Sequence, residues 1–115
     1  VLSRDDIETL QKTLGDLYAK LNSAYWAAST IEAKDQIHGA IDVVNEVLDQ
    51  LDKAGLEADH DALRQLKESL GAANDDLDDL KSQVNQIVHN VKVASQVVAA
   101  IDQAISLGGK VIAAV

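Results

Sequence analysis

The sequence predicts an all-α fold: an elongated, coiled-coil-like antiparallel two-helix hairpin, completed to a four-helix bundle by dimerisation. Three observations carry that expectation. Proline, the strongest helix breaker, is absent from all 115 residues. Apolar residues recur at alternating steps of three and four, the spacing of a helical seam. One strong interruption, at 54–59, separates two long periodic stretches. The length suits a single helical domain over 1–115.

The first helix is expected over about 4–53. Ser3 ahead of Asp5, Asp6 and Glu8 reads as an N-cap with acids in the first turn, where they meet the helix dipole and its unpaired amides. Ile7, Leu10, Leu14, Leu17, Leu21, Ala24, Ala28 and Ile31 then form one stripe. A second stripe runs through Ile41, Val44, Leu48 and Leu51 and projects back through His38 and Lys34. The two are out of register around 29–34. Such a slip either overwinds a continuous helix or breaks it. Ser29 and Glu32 have capping-box spacing at that point. Continuity is the reading adopted, and a compact bundle broken at Ser29 is the competitor.

The turn follows at 54–59, with Lys53 in a last turn, Gly55 as the residue just past the helix and Asp59 capping the next. The second helix is expected over about 60–112. Leu63, Leu70, Leu77, Val84, Val91, Val98, Ile105 and Ile112 keep one phase, and Leu66, Ala73, Leu80, Ile87, Ala94 and Ile101 accompany them. As one helix this segment is about 75 Å long at 1.5 Å per residue. Partner positions in the hairpin sum to about 113, so Leu21 lies near Lys92 and Gln36 near Leu77.

Beyond Val84 apolar residues spill off the seam, and one partner helix cannot cover them. A second copy of the chain is the expected cover. The residues assigned to that interface are Trp26, Val88, Val93, Val97, Ala100, Ala104, Leu107 and Val111. Trp26 is included because tryptophan on an outer face is a common interface anchor. Tyr18 and Tyr25 are read as edge residues of the hairpin's own seam.

Charge and chemistry narrow the function. Twelve acids and three bases fall within 42–79, which accounts for the whole net charge of −9. That field repels a phosphate backbone, so nucleic acid is not an expected partner. With no cysteine there is no disulfide or thiol chemistry. Asp35–His38 and Glu57–His60 have the carboxylate-x-x-His spacing of metal bundles, but the two histidines lie about 22 Å apart along the axis. His89 falls on an outer position, and His38 is expected to be a partly buried, satisfied stripe residue. Asp75, Asp76, Asp78 and Asp79 read as a solvated face, since a calcium loop's glycine and spacing are missing.

No catalytic residue, cofactor or metal site is assigned, and the chain is not expected to be an enzyme. The expected function is a non-enzymatic protein–protein interaction or structural module that self-associates through its apolar C-terminal half. Two alternatives stand beside it: a membrane-active or membrane-associated helical protein, and one subunit of a helical hetero-complex. Asp102 and Lys110 interrupt the final apolar run and weigh against a membrane. A polar start without cysteine makes the cytoplasm the default location.

Overall fold

The computed structural model describes residues 4–57 and 60–114. It is all-α, with α1 over Arg4–Ala27, α2 over Ile31–Glu57, α3 over His60–Ile87 and α4 over Val91–Ala114. The helices pack in a ring, α1 on α2, α2 on α3, α3 on α4 and α4 on α1. The described residues measure 43 × 20 × 19 Å. That length matches one 28-residue helix of about 42 Å, where a straight hairpin would reach about 75 Å.

Each long helix of the expected hairpin is therefore interrupted once. The break between α1 and α2 lies at residues 28–30, at the edge of the register slip. The break at 88–90 was not anticipated. Both use the same device: a short polar side chain accepts a hydrogen bond from the amide three residues on. Ala33 N donates to Thr30 Oγ1 at 3.0 Å, and Val93 N donates to Asn90 Oδ1 at 3.1 Å. These are N-caps, each satisfying an amide that the helix cannot. Thr30 is the cap, not Ser29. Ser29 instead donates its N–H and its hydroxyl to the Ile87 carbonyl, at 3.0 and 3.2 Å. Ala28 and Val88 form an isolated antiparallel bridge. The two breaks thus touch, at one end of the bundle.

At the opposite end α2 continues through Gly55 to Glu57, so Gly55 does not terminate it. Asp59 and Ser3, assigned as caps from the sequence, lie outside the described residues.

The core is wholly apolar among the described residues. In α1 it contains Leu10, Leu14, Leu17, Leu21 and Ala24, as the stripe predicts. In α2 it contains Ala33, Ile37, Ala40, Ile41, Val44, Val47 and Leu51. Ile41, Val44 and Leu51 of the expected stripe are buried and Leu48 is half-buried, but the backward projection of that stripe through His38 and Lys34 gives way to Ile37 and Ala33. His38 is exposed rather than partly buried, and bonds to Asp42 across 3.4 Å. Leu66, Leu70, Ala73, Leu77, Leu80 and Val84 form the α3 face.

The two halves of the bundle repeat each other. Positions 60 residues apart match across the second helices: Ile37 and Val97, Ala40 and Ala100, Ile41 and Ile101, Val44 and Ala104, Leu51 and Val111 are all buried. The caps Thr30 and Asn90 and the bridge residues Ala28 and Val88 obey the same offset. In the first helices the offset is 56, pairing Leu10 with Leu66, Leu14 with Leu70, Gly15 with Gly71 and Leu21 with Leu77. The change from 56 to 60 is one added turn, and α3 has 28 residues where α1 has 24. Two similar helical pairs, α1–α2 and α3–α4, therefore build the bundle.

Candidate interaction surface

Folding α4 back onto α3 gives it two neighbours, α3 and α1. That accounts for its wide apolar face. Val88, Val97, Ala100, Ala104 and Val111 are buried, and Val93 and Leu107 are half-buried against the same core. The cover expected from a second chain is supplied here by the chain itself. Of the eight interface residues assigned from the sequence, Trp26 alone is exposed, at 73 %.

Trp26 has company. Ile31 is 75 % exposed and Val91 is 79 % exposed. All three flank the two touching breaks: Trp26 lies in the last turn of α1, and Ile31 and Val91 open α2 and α4. Tyr18, on the side of α1, is the remaining large hydrophobic residue exposed among those described, at 38 %. Three large apolar side chains are therefore exposed at the corner end. Its edge is ordered by stacking. Tyr25 and Trp26 meet edge to face with centroids 5.3 Å apart, and Lys34 Nζ lies 5.4 and 5.5 Å from the two ring centres. A cation over ring faces holds both the lysine stem and the rings. Periodicity could not single out Ile31 and Val91, because both fall on the stripes that it assigns to the core.

The other end is different in character. The acidic stretch 42–79 runs from the middle of α2 to just past the middle of α3 and so takes in that end, with Asp75, Asp76, Asp78 and Asp79 exposed near mid-α3. The helix flanks carry polar cross-links. Gln11 donates to Asp52 across α1 and α2 at 2.8 Å, and Gln36 donates to Gln83 across α2 and α3 at 2.7 Å. Lys81 donates to Asp102 across α3 and α4. That hydrogen bond, and then the charge of the same carboxylate, raise the Lys81 amine above its usual 10.5.

A groove between α2 and α3 is lined by Gln36, Gly39, Ala40, Asp76, Asp79, Leu80 and Gln83. Among the described residues, no group of three or more His, Asp or Glu is placed to hold a metal ion. None of the helices, over those residues, is long and apolar enough to cross a membrane. No protein-family model matches the chain, and neither does any curated protein or any solved structure.

Proposed function

We propose that this chain is a non-enzymatic helical module that works through protein–protein contact, and that it self-associates through its corner end. The observation that carries the reading is the exposure of Trp26, Ile31 and Val91, three large apolar side chains at the corner end, each about three-quarters exposed. Exposed aromatic and branched side chains in one patch are the composition of an association surface. Charge supports the same end. The net charge of −9 resides within 42–79, so copies that meet at the corner end keep their acidic ends apart.

Sedimentation equilibrium tests this. The parent chain should show a reversible, concentration-dependent dimer. Trp26→Ser with Ile31→Ser and Val91→Ser should keep the helical content and stay monomeric. A parent that remains monomeric at the highest soluble concentration contradicts the reading, and so does a triple variant that dimerises equally well. Binding of the monomer to lipid vesicles through Trp26 would favour membrane association instead.

A further inference from the structure

The break at 88–90 keeps the seam in phase, and the break at 28–30 does not. Val84, Ile87, Val91, Ala94, Val98 and Ile101 continue the three–four alternation straight through the corner. Across the other corner the core jumps nine residues, from Ala24 to Ala33, a step the alternation does not contain. Supercoiled at about 3.5 residues per turn, a helix running through 88–90 would keep the stripe from Val84 to Ile101 on one face, whereas no single stripe runs through 28–30 into the α2 core. Neither glycine nor proline lies between Ala73 and Leu107 to stop such a helix.

Val91 is the telling residue. Among the described members of its stripe, from Leu63 to Ile112, it alone is exposed. The register of α3 on α4 shows what it fits. Asn74 lies beside Gly108, and Lys81 bonds Asp102, so facing positions sum to 182 or 183. If α3 and α4 were one helix paired antiparallel with its own copy in that register, Val91 would face Val91 of the second copy.

We infer that α3 and α4 fuse through 88–90 and hand α4 to a second copy, so that two chains form two four-helix bundles end to end with their Val91 residues meeting on the two-fold axis. This rests on the reading of the corner end as the self-association surface, and it names the partner and the mode. Each bundle then holds α1, α2 and α3 of one copy and α4 of the other, with every buried contact of α4 retained. The corner ends abut, so Trp26 and Ile31 of both copies lie at the junction. The fused helix is about 82 Å long, and the acidic ends point away from each other. What the exchange gives up is local: the Asn90 cap on Val93 N and the two hydrogen bonds from Ser29 to the Ile87 carbonyl. A three-residue connection is short enough to favour such exchange.

Cysteine pairs distinguish the arrangements, because the chain has no cysteine of its own. Lys81→Cys with Asp102→Cys spans α3 and α4, and Gln36→Cys with Gln83→Cys spans α2 and α3. The dimer is isolated by size exclusion after refolding at high concentration, oxidised and run on a non-reducing gel. Exchange predicts a covalent dimer from the 81/102 pair and a monomer-sized product from the 36/83 pair. Hinge variants give a second readout. Asn90→Ala removes one cap from each of the two monomers and should raise the dimerisation constant about 30-fold. Val91→Pro should lower it by about four orders of magnitude, because proline suits the first position of α4 but breaks a helix interior, and each dimer holds two such helices. A dimer in which both cysteine pairs close within one chain overturns the exchange and leaves self-association standing. Failure of the parent and of Asn90→Ala to dimerise at any concentration overturns both. A Val91→Pro chain that folds and dimerises as well as the parent also refutes the fused helix.

Discussion

Replacing Ile101 by alanine probes the packing of α4 most sharply. Ile101 is fully buried, in the face that α4 turns toward α1 and α3. The substitution deletes three carbons, worth about 2.4 kcal/mol at roughly 0.8 kcal/mol each. The helical backbones around it relax only partly, so a cavity term adds to this, and measured losses for such changes run from about 2 to 5 kcal/mol. Against a domain stability of about 5–15 kcal/mol, that is a large fraction of the whole. Ile31→Ala is the matched control. The same atoms are deleted, but from a side chain 75 % exposed at the first position of α2. Its cost should stay within about 0.5 kcal/mol. The assay is urea unfolding at low micromolar protein, followed by circular dichroism, with each variant repeated at a tenfold higher concentration. The reasoning is refuted if Ile101→Ala costs less than about 1 kcal/mol, or if the two isoleucines respond alike. A midpoint that moves with protein concentration in the dilute range would show that a second chain completes the core.

Other perturbations follow from the same geometry. Thr30→Ala removes the hydroxyl that caps α2 and should cost about 1 kcal/mol in the same unfolding assay. Gly71→Ala should stabilise the bundle by about 0.5–1 kcal/mol, since a helix-interior glycine is replaced where nothing stands within 4 Å. Gly108→Ala should gain less than Gly71→Ala, because the new methyl meets Asn74 Oδ1 at 3.1 Å and the amide must move. The Lys81 amine, raised by its bond to Asp102, should titrate above 10.5 by NMR and fall back in Asp102→Asn. A raised lysine stabilises the fold below its unfolded value and loses that contribution as pH rises through the folded value. The pair's effect on stability should therefore vanish only in strongly alkaline solution, and an unchanged lysine titration in Asp102→Asn would contradict the pairing.

Periodicity made the faces of α1 and α3 legible, because their cores are large aliphatic residues at clean spacing. On α2 it found Ile41, Val44 and Leu51 and missed Ala33, Ile37, Ala40 and Val47. Small residues carry part of that face at Ala33 and Ala40, while the conspicuous Leu48 is only half-buried beside the fully buried Val47. His38 was placed on the core side only by projecting the stripe backwards. The corner at 28–30 left a trace because the phase slips there. The corner at 88–90 left none in the phase, since a stripe that resumes in step looks unbroken. Periodicity reports which side of a helix is apolar, and says nothing about where the helix ends if the skipped residues fill whole turns. Two other signals were present: Asn90 directly before an apolar run, and the recurrence of the 31–51 pattern at 91–111. The wide apolar face of α4 did correctly indicate several neighbours. Sequence alone could not say that α3, already credited as the same helix, was one of them. The candidate surface was legible only in Trp26, because Ile31 and Val91 are seam residues by every local criterion and become exposed through the corners themselves.

The central claim is that α4 folds back on α3 within one chain. A distance between spin labels at Ala72 and Lys110, both exposed, tests it directly. The labelled protein is diluted with unlabelled chain and measured at low micromolar concentration, so that only distances within one chain are read. Facing positions on α3 and α4 sum to 182 or 183, which places these two opposite each other on neighbouring helices whose axes lie about 8–10 Å apart. The account predicts a single narrow distance below about 2.5 nm once label length is included. A dominant distance near 5.7 nm, which 38 residues of unbroken helix would span at about 1.5 Å each, would contradict it.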